Sequence, residues 1–152
     1  MQVEIIEYDQ QYAAIFKQLN LEWLDKYSLT EEADLLILNH PKEKIIDTGG
    51  MIYLAKVNNI IVGVAALIIK QNNICELVKM AVTSSFQGKG ISKLLLEKCL
   101  SKAKELGVTK ISLFSNNQLQ AAIGLYKKFG FKHVPVENSP FKTCDVQMEL
   151  SL

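Results

Sequence analysis

Between two turn-forming stretches, Asn58-Asn59 and Gln71-Asn72-Asn73, the chain carries an unbroken apolar run, Ile60 to Ile69, IIVGVAALII. It is too short to cross a bilayer, which takes about 20 apolar residues. It is also too rich in β-branched residues to prefer a helix. The remaining option is a long buried strand. Met51–Val57 before the first turn and Ile74–Val82 after the second read as its neighbours. Asparagine is a residue of tight turns, so the three strands form an antiparallel meander.

The flanks read differently. Gln2–Glu7 suits a first strand, and Asp9 is a candidate cap for a helix from Gln10 to about Leu19. A second helical region spans Leu21–Leu38, with Thr30 a candidate cap and Pro41 its end. A short helix over Lys42–Asp47 precedes Gly49 and Gly50. After the meander, Ile91–Leu106 is a helix with Ile91, Leu94, Leu95, Leu100, Ala103 and Leu106 as its apolar stripe, stopped at Gly107. Lys110–Ser115 is a strand, Gln118–Phe129 a helix stopped by Gly130, and Phe131–Val134 with Lys142–Leu150 a final strand pair. The order β-α-α-β-β-β-α-β-α-β-β predicts an α/β chain of mixed type. Its sheet of about seven strands, mostly antiparallel, is covered by helices. The chain reads as one unit, 1–152, without repeats, linkers or low-complexity stretches.

Composition excludes several classes. With 49% apolar and 22% charged residues the chain is not disordered as a whole. The opening MQVEIIEYD lacks the basic start and apolar stretch of a signal peptide, so no membrane or secreted form is expected. Three widely spaced cysteines, Cys75, Cys99 and Cys144, fit neither a disulfide framework nor a metal knuckle. They point to the reduced cytoplasm, with no metal. The net charge of +1 hides an asymmetry: residues 1–50 carry four lysines against ten acids, and residues 87–132 nine lysines against two. The basic segment can hold a polyanion and the acidic one a cation, or both are solvated helix faces. Nucleic acid is not the expected partner, because the basic helix has no arginine and no interleaved aromatics.

The informative segment is Val78–Leu96, VKMAVTSSFQGKGISKLLL, a strand running through a glycine turn straight into a helix. A helix N-terminus presents unpaired N–H groups, and glycine lets a ligand approach them. The turn is therefore either a phosphate cradle, with Lys89 and Lys93 at its rim, or a purely structural turn. It is not a P-loop, which needs G-x-x-x-x-G-K-[ST]. It is not a dinucleotide fingerprint either, because Lys93 stands where the third glycine belongs.

Gln87-Gly88-Lys89-Gly90-Ile91-Ser92 resembles the Q/R-x-x-G-x-G/A motif of the GCN5-related N-acetyltransferase (GNAT) family, with Ser92 where the family prefers Gly or Ala. Ala121 to Phe131, AAIGLYKKFGF, resembles that family's A-I-x-L-Y-x-K-x-G-F signature. Many members have Asn seven residues before the tyrosine; here the residue is Leu119, with Asn116 and Asn117 just upstream. The resemblance covers most of the chain and is loosest over 20–50. It implies the GNAT acyltransferase fold and acetyl-CoA as cosubstrate. The pyrophosphate would lie on residues 87–92, and the pantetheine arm along Met80, Ala81 and Val82, with a further contact from Asn117. A main-chain N–H near Met80 or Ala81 would polarise the thioester carbonyl. Tyr126 falls on the family's general-acid tyrosine, and is otherwise a tyrosine packed on the sheet. Glu76 aligns with the glutamate that serves as base in the histone-acetylating branch, and is otherwise a lysine partner or a substrate contact.

By the same resemblance the first helices and the last loop wall the acceptor pocket. They supply Glu22, Trp23, Tyr27, Glu31, Glu32, Asp34, Pro140 and Phe141. Aromatics with carboxylates suit a cationic amine, although Trp23 and Tyr27 at helical spacing also suit a core. His40, His133 and the cysteines have no neighbouring pattern that makes them catalytic. The function implied is acetyl transfer to a primary amine by direct attack. The acceptor would be a small cationic amine or an amino-acid or peptide amine, and the protein a monomer or homodimer. The alternative is a catalytically silent acyl-CoA-binding module on the same fold.

Overall fold

Asparagine turns set the first pairings. In the computed structural model, which describes all 152 residues, Asn58, Asn59, Asn72 and Asn73 all have φ between +50° and +64°. Two consecutive left-handed residues give the tight reversal whose twist suits an antiparallel hairpin. Strands β2 (Met51–Val57), β3 (Ile60–Ile69) and β4 (Ile74–Val82) thus form the expected meander, and β1 (Glu4–Glu7) adds to the edge of β2. Strand β5 (Lys110–Ser115) joins β4 in parallel. Strand β7 (Val146–Ser151) lies between β5 and β6 (Lys132–Val134), closing a seven-stranded sheet of order β1-β2-β3-β4-β5-β7-β6. The mixed sheet expected from the sequence is the sheet observed.

Helices cover both faces. Helices α1 (Ala13–Lys26) and α2 (Glu32–Asn39) pack Phe16, Leu19, Leu24 and Leu38 on Leu54, Val64 and Ala66. On the other face α3 (Ile91–Glu105) and α4 (Gln120–Lys128) pack Leu95, Leu96, Cys99 and Ile123 on Tyr53, Leu67 and Leu113. Gly63 lets α3 press close: a Cβ there would meet Leu95 Cδ1 at 3.1 Å and Ile91 Cγ2 at 3.2 Å. No helix is long and apolar enough to cross a membrane.

Several boundaries move. The expected break near Asn20 is absent, and α1 continues to Lys26. Buried Asn20 is accommodated because its side-chain amide donates to the Phe16 carbonyl at 3.0 Å and accepts from the Trp23 indole at 3.3 Å. Thr30 does not cap α2; Glu31 occupies that position, and its backbone N–H donates to Asp34 Oδ2 at 2.9 Å. The buried stripe of α3 is Ile91, Leu95, Leu96, Cys99, Leu100 and Ala103, whereas Leu94 and Leu106 are exposed. The first strand starts at Glu4, α4 at Gln120 and the last strand at Val146; residues 142–145 belong to a loop.

Candidate active site

The site exists because two neighbouring strands part. Parallel pairing of β4 with β5 covers only Ile74, Cys75 and Glu76 against Lys110, Ile111 and Ser112. Beyond Glu76 the strands diverge. The cause lies in β4: Val64 faces Ala81 and Ala66 faces Val78, so Lys79 and Met80 together oppose Ala65. This is a β-bulge, which adds a residue, bends the strand and breaks the alternation of side chains. Lys79 carries the strain, with φ at +55°. Val78 and Lys79 consequently both face the α1/α2 side, while Leu77 and Met80 face the α3/α4 side. Between the parted strands, main-chain groups of both are left for another partner.

The open end of the wedge leads to the N-terminus of α3. Gly88 (φ +76°) and Gly90 (φ +80°) are left-handed, and no atom lies within 4 Å of where a Cβ would be built on either. No side chain caps the helix, and the main-chain amides from Gly88 to Lys93 donate to no acceptor within the chain. Such a run of free N–H groups with open space in front is a binding surface for an anion. The turn is braced from both sides. Gln87 donates its side-chain amide to the Val82 carbonyl at 3.0 Å. Glu22 on α1 accepts from the Ser84 N–H at 2.8 Å and from the Thr83 hydroxyl.

Wedge and turn share one cavity of about 520 Å³, within the usual range for a ligand site. Tyr126 of α4 lines it, only 8% exposed. Its ring stacks obliquely on Phe131, with centroids 5.7 Å apart. Burial pushes the phenol far above its ordinary value, so it stays protonated at neutral pH.

At the opposite end the cavity passes between α1, α2 and the β6–β7 loop, walled by Trp23, Leu24, Tyr27, Leu29 and Phe141. Here charges are buried. Glu76 is 6% exposed, and its carboxylate lies 3.5 Å from the Lys70 ammonium. Burial raises its pKa above the ordinary carboxylate value, against the pull of Lys70 and Lys79. Lys79 is ion-paired with Asp34, both nearly fully buried, and its ammonium lies 4.9 Å over the Phe141 ring. Burial lowers the Lys79 pKa, and Asp34 opposes the change. Phe141 is seated by a clamp. One carboxylate, Glu31, accepts the Lys142 N–H at 2.8 Å, the Thr143 N–H at 2.9 Å and the Thr143 hydroxyl. Desolvation alone would raise the Glu31 pKa, but these bonds and the Lys142 charge hold it below its ordinary value.

Most residues singled out by sequence meet in this cavity. Glu76, Met80, Ala81, Val82 and Tyr126 line it, with Gln87, Gly88, Gly90, Ile91 and Ser92 at the turn and Trp23, Tyr27 and Phe141 at the far end. Six do not. Glu22 braces the turn from outside, Glu31 clamps the β6–β7 loop, Lys89 lies over the Phe86 ring at 5.8 Å, and Glu32, Asn117 and Pro140 are absent from the lining, to which Asn116 belongs. Lys79 and the Glu31 clamp were not anticipated. A lysine interrupting the apolar strand ICELVKMAV was the available signal for the first. The acids expected to form a cationic-amine pocket are largely engaged elsewhere: Glu22 with the turn, Glu31 with the loop and Asp34 with Lys79. Cys75 and Cys99 are buried and unpaired, with thiols pushed up to about 11 and about 12, which makes them inert packing groups. No three His, Cys, Asp or Glu side chains converge as a metal ligand set.

A family model described as the acetyltransferase (GNAT) family matches residues 12–131. An uncharacterised N-acetyltransferase of Bacillus subtilis, YvbK, is 32% identical over 111 residues, spanning 71% of this chain and 72% of that protein. N-acetylaspartate synthetase of Xenopus tropicalis is 38% identical over 89 residues, which is 58% of this chain but only 33% of that longer protein. Among solved structures, a GNAT-family acetyltransferase of Staphylococcus aureus Mu50 superposes with a TM-score of 0.89 at 24% identity, covering 99% of both chains. The PaiA N-acetyltransferase of Thermoplasma acidophilum, solved in complex with coenzyme A, superposes with a TM-score of 0.78 at 20% identity over the full length of both.

Proposed function

The chain belongs to the acetyltransferase (GNAT) family, and on that premise we propose that it transfers the acetyl group of acetyl-CoA to a primary amine held at the α1/α2 end of the cavity. The observation that carries this reading is the continuity of one cavity from the free amides before α3, through the parted strands, to the buried Glu76 and Tyr126. The donor set fits the cosubstrate: free N–H groups for a diphosphate, and strand edges for an amide-bearing arm. Coenzyme A is bound in the PaiA structure of the same fold, which supports the assignment.

When bound, acetyl-CoA supplies the activated acetyl group. The amides of Gly88 through Ser92 hold its diphosphate, with Gln87 keeping the turn in shape. Main-chain groups of Met80, Ala81 and Val82, freed by the bulge, align the arm, and an N–H near Met80 or Ala81 polarises the carbonyl. Glu76 takes the proton that the acceptor must lose before its nitrogen can attack. Its raised pKa brings it closer to neutrality than an ordinary carboxylate. Tyr126, kept protonated by burial, donates a hydrogen bond to the departing sulfur. Walls of Trp23, Leu24, Tyr27 and Phe141 give the acceptor end a largely apolar lining. The acceptor is an amino-acid or peptide amine or a small cationic amine, handled by one acetyltransferase domain over residues 1–152. The three free cysteines suit the reducing cytoplasm.

The test is release of free thiol from acetyl-CoA with a panel of amines, amino acids and short peptides. Turnover with any of them is the expected result. Tight acetyl-CoA binding without turnover on a broad panel would leave the silent binding module instead.

A further inference from the structure

We propose that the acceptor carries a carboxylate beside its amine and that Lys79 is the residue that reads it; this deepens the acetyltransferase reading and rests on it. Three observations converge on Lys79. First, it is held at considerable cost. A lysine with φ +55° is strained, and a buried ammonium carries a desolvation penalty that its partner Asp34 must offset. Leucine or methionine at this bulge would bury more cheaply.

Second, its hydrogen-bonding capacity is not used up. An ammonium has three N–H donors, and within the chain Lys79 donates only to Asp34. Asp34 is engaged on both oxygens, one by Lys79 and the other by the Glu31 N–H at 2.9 Å. Phe141 attracts the positive charge through its ring face but offers no lone pair. Two donors of a desolvated cation therefore remain for whatever enters the cavity that Lys79 lines.

Third, Lys79 stands beside the proposed base. Glu76 and Lys79 face the same side of the bulged strand and feel each other's charge. An amine delivered to Glu76 thus has next to it an ammonium whose charge Asp34 balances but two of whose donors are free. A carboxylate on the neighbouring carbon would accept from those donors, which a second ammonium cannot do. Lys70 is half-exposed and lies outside the cavity lining, whereas Lys79 is buried and belongs to it, so Lys79 is the cation that a buried substrate meets. This favours amino acids, or peptides with a free carboxylate near the amine, over polyamines.

The experiment compares acceptors in pairs that differ only by the carboxylate, an amino acid and its decarboxylated amine, such as phenylalanine with phenethylamine and ornithine with putrescine. Binding to the protein saturated with coenzyme A is measured by calorimetry, and acetylation by thiol release. For the wild type the carboxylate member should win by roughly 10- to 100-fold, the range of a charge-assisted hydrogen bond. In Lys79→Met that ratio should collapse towards one, and in Lys79→Arg it should be largely kept. A merely structural Lys79 would change stability without moving the ratio. Thermal stabilisation by acetyl-CoA certifies the fold of each variant, and the wild-type ratio needs no variant at all. Preference for the decarboxylated amine, equal affinity within pairs, or binding of neither member would overturn the inference. Selective binding of the amino acid without acetylation would support Lys79 as the reader and overturn the acetyltransferase reading instead.

Discussion

Replacing Glu31 with glutamine should loosen the acceptor end of the site while leaving the cosubstrate end intact. In the protein, Glu31 Oε1 accepts the Lys142 N–H, and Oε2 accepts both the Thr143 N–H and the Thr143 hydroxyl. Glutamine keeps one accepting oxygen and turns the other into an NH₂; with the oxygen at the Oε2 position both Thr143 bonds survive as neutral ones, and the Lys142 bond and the charge are lost. At this exposed site the lost bond is worth roughly 1 kcal/mol, and the fall of the other two from charged to neutral about 0.5 kcal/mol each, about 2 kcal/mol in all. At 1.4 kcal/mol per factor of ten, the loop opens up to about 30-fold more often. Because the loop carries Phe141 over Lys79, the acceptor KM should rise by up to that factor, while the acetyl-CoA KM stays put. Hydrogen exchange supplies the structural readout, since the Lys142 and Thr143 amides should lose protection. The sign of the pH effect follows from the lowered pKa of Glu31. The clamp is intact above the ordinary glutamate value and fails only as pH falls through the lowered one, so it is whole at neutrality. An unchanged acceptor KM with both amides still protected would refute the reasoning.

Other perturbations separate the remaining roles. Tyr126→Phe should lower turnover by about 100-fold, the lower bound for loss of a positioned proton donor, with acetyl-CoA affinity little changed; steady-state kinetics that match the wild type would remove the role. Glu76 must be ionised to accept a proton, so kcat/KM should fall as pH drops through its raised pKa, above the ordinary glutamate value. The pH profile of Glu76→Gln should lose that acidic limb, and a surviving limb would assign the base elsewhere. Asp34→Leu leaves Lys79 buried without its partner and should destabilise the fold by about 3–5 kcal/mol in urea unfolding; near-normal stability would mean that water reaches the pair. Carboxylate preference should fade as pH rises through the Lys79 pKa, which burial places below the ordinary lysine value, and a preference constant up to that value would contradict the assignment.

What could be read from the sequence was local or periodic. Paired asparagines announced both hairpins, because the left-handed conformation they adopt is a property of the residue itself. The glycine turn before α3 was legible for the same reason, since Gly88 and Gly90 adopt positive φ where other residues would be strained. The bulge was not legible. Its cause is a register shift between β3 and β4, set by packing on both faces, and sequence shows only a lysine among apolar neighbours. Nor was the Glu31 clamp, which joins residues 111 and 112 positions apart in the chain. Charge counting misled in an instructive way. It treats every carboxylate as available, whereas Glu22, Glu31 and Asp34 are occupied by the protein's own donors. Asn20 defeated the helix boundary because its side chain bonds back to the turn before it, which only the folded helix reveals.

The account stands on the free amides at the start of α3, and titration calorimetry with acetyl-CoA addresses them directly. One-to-one binding is expected, together with clear weakening in Gly90→Ala, where a Cβ is strained at φ +80° by about 1–2 kcal/mol. Absence of binding by a folded wild type, or a Gly90→Ala protein that binds as tightly, would contradict it.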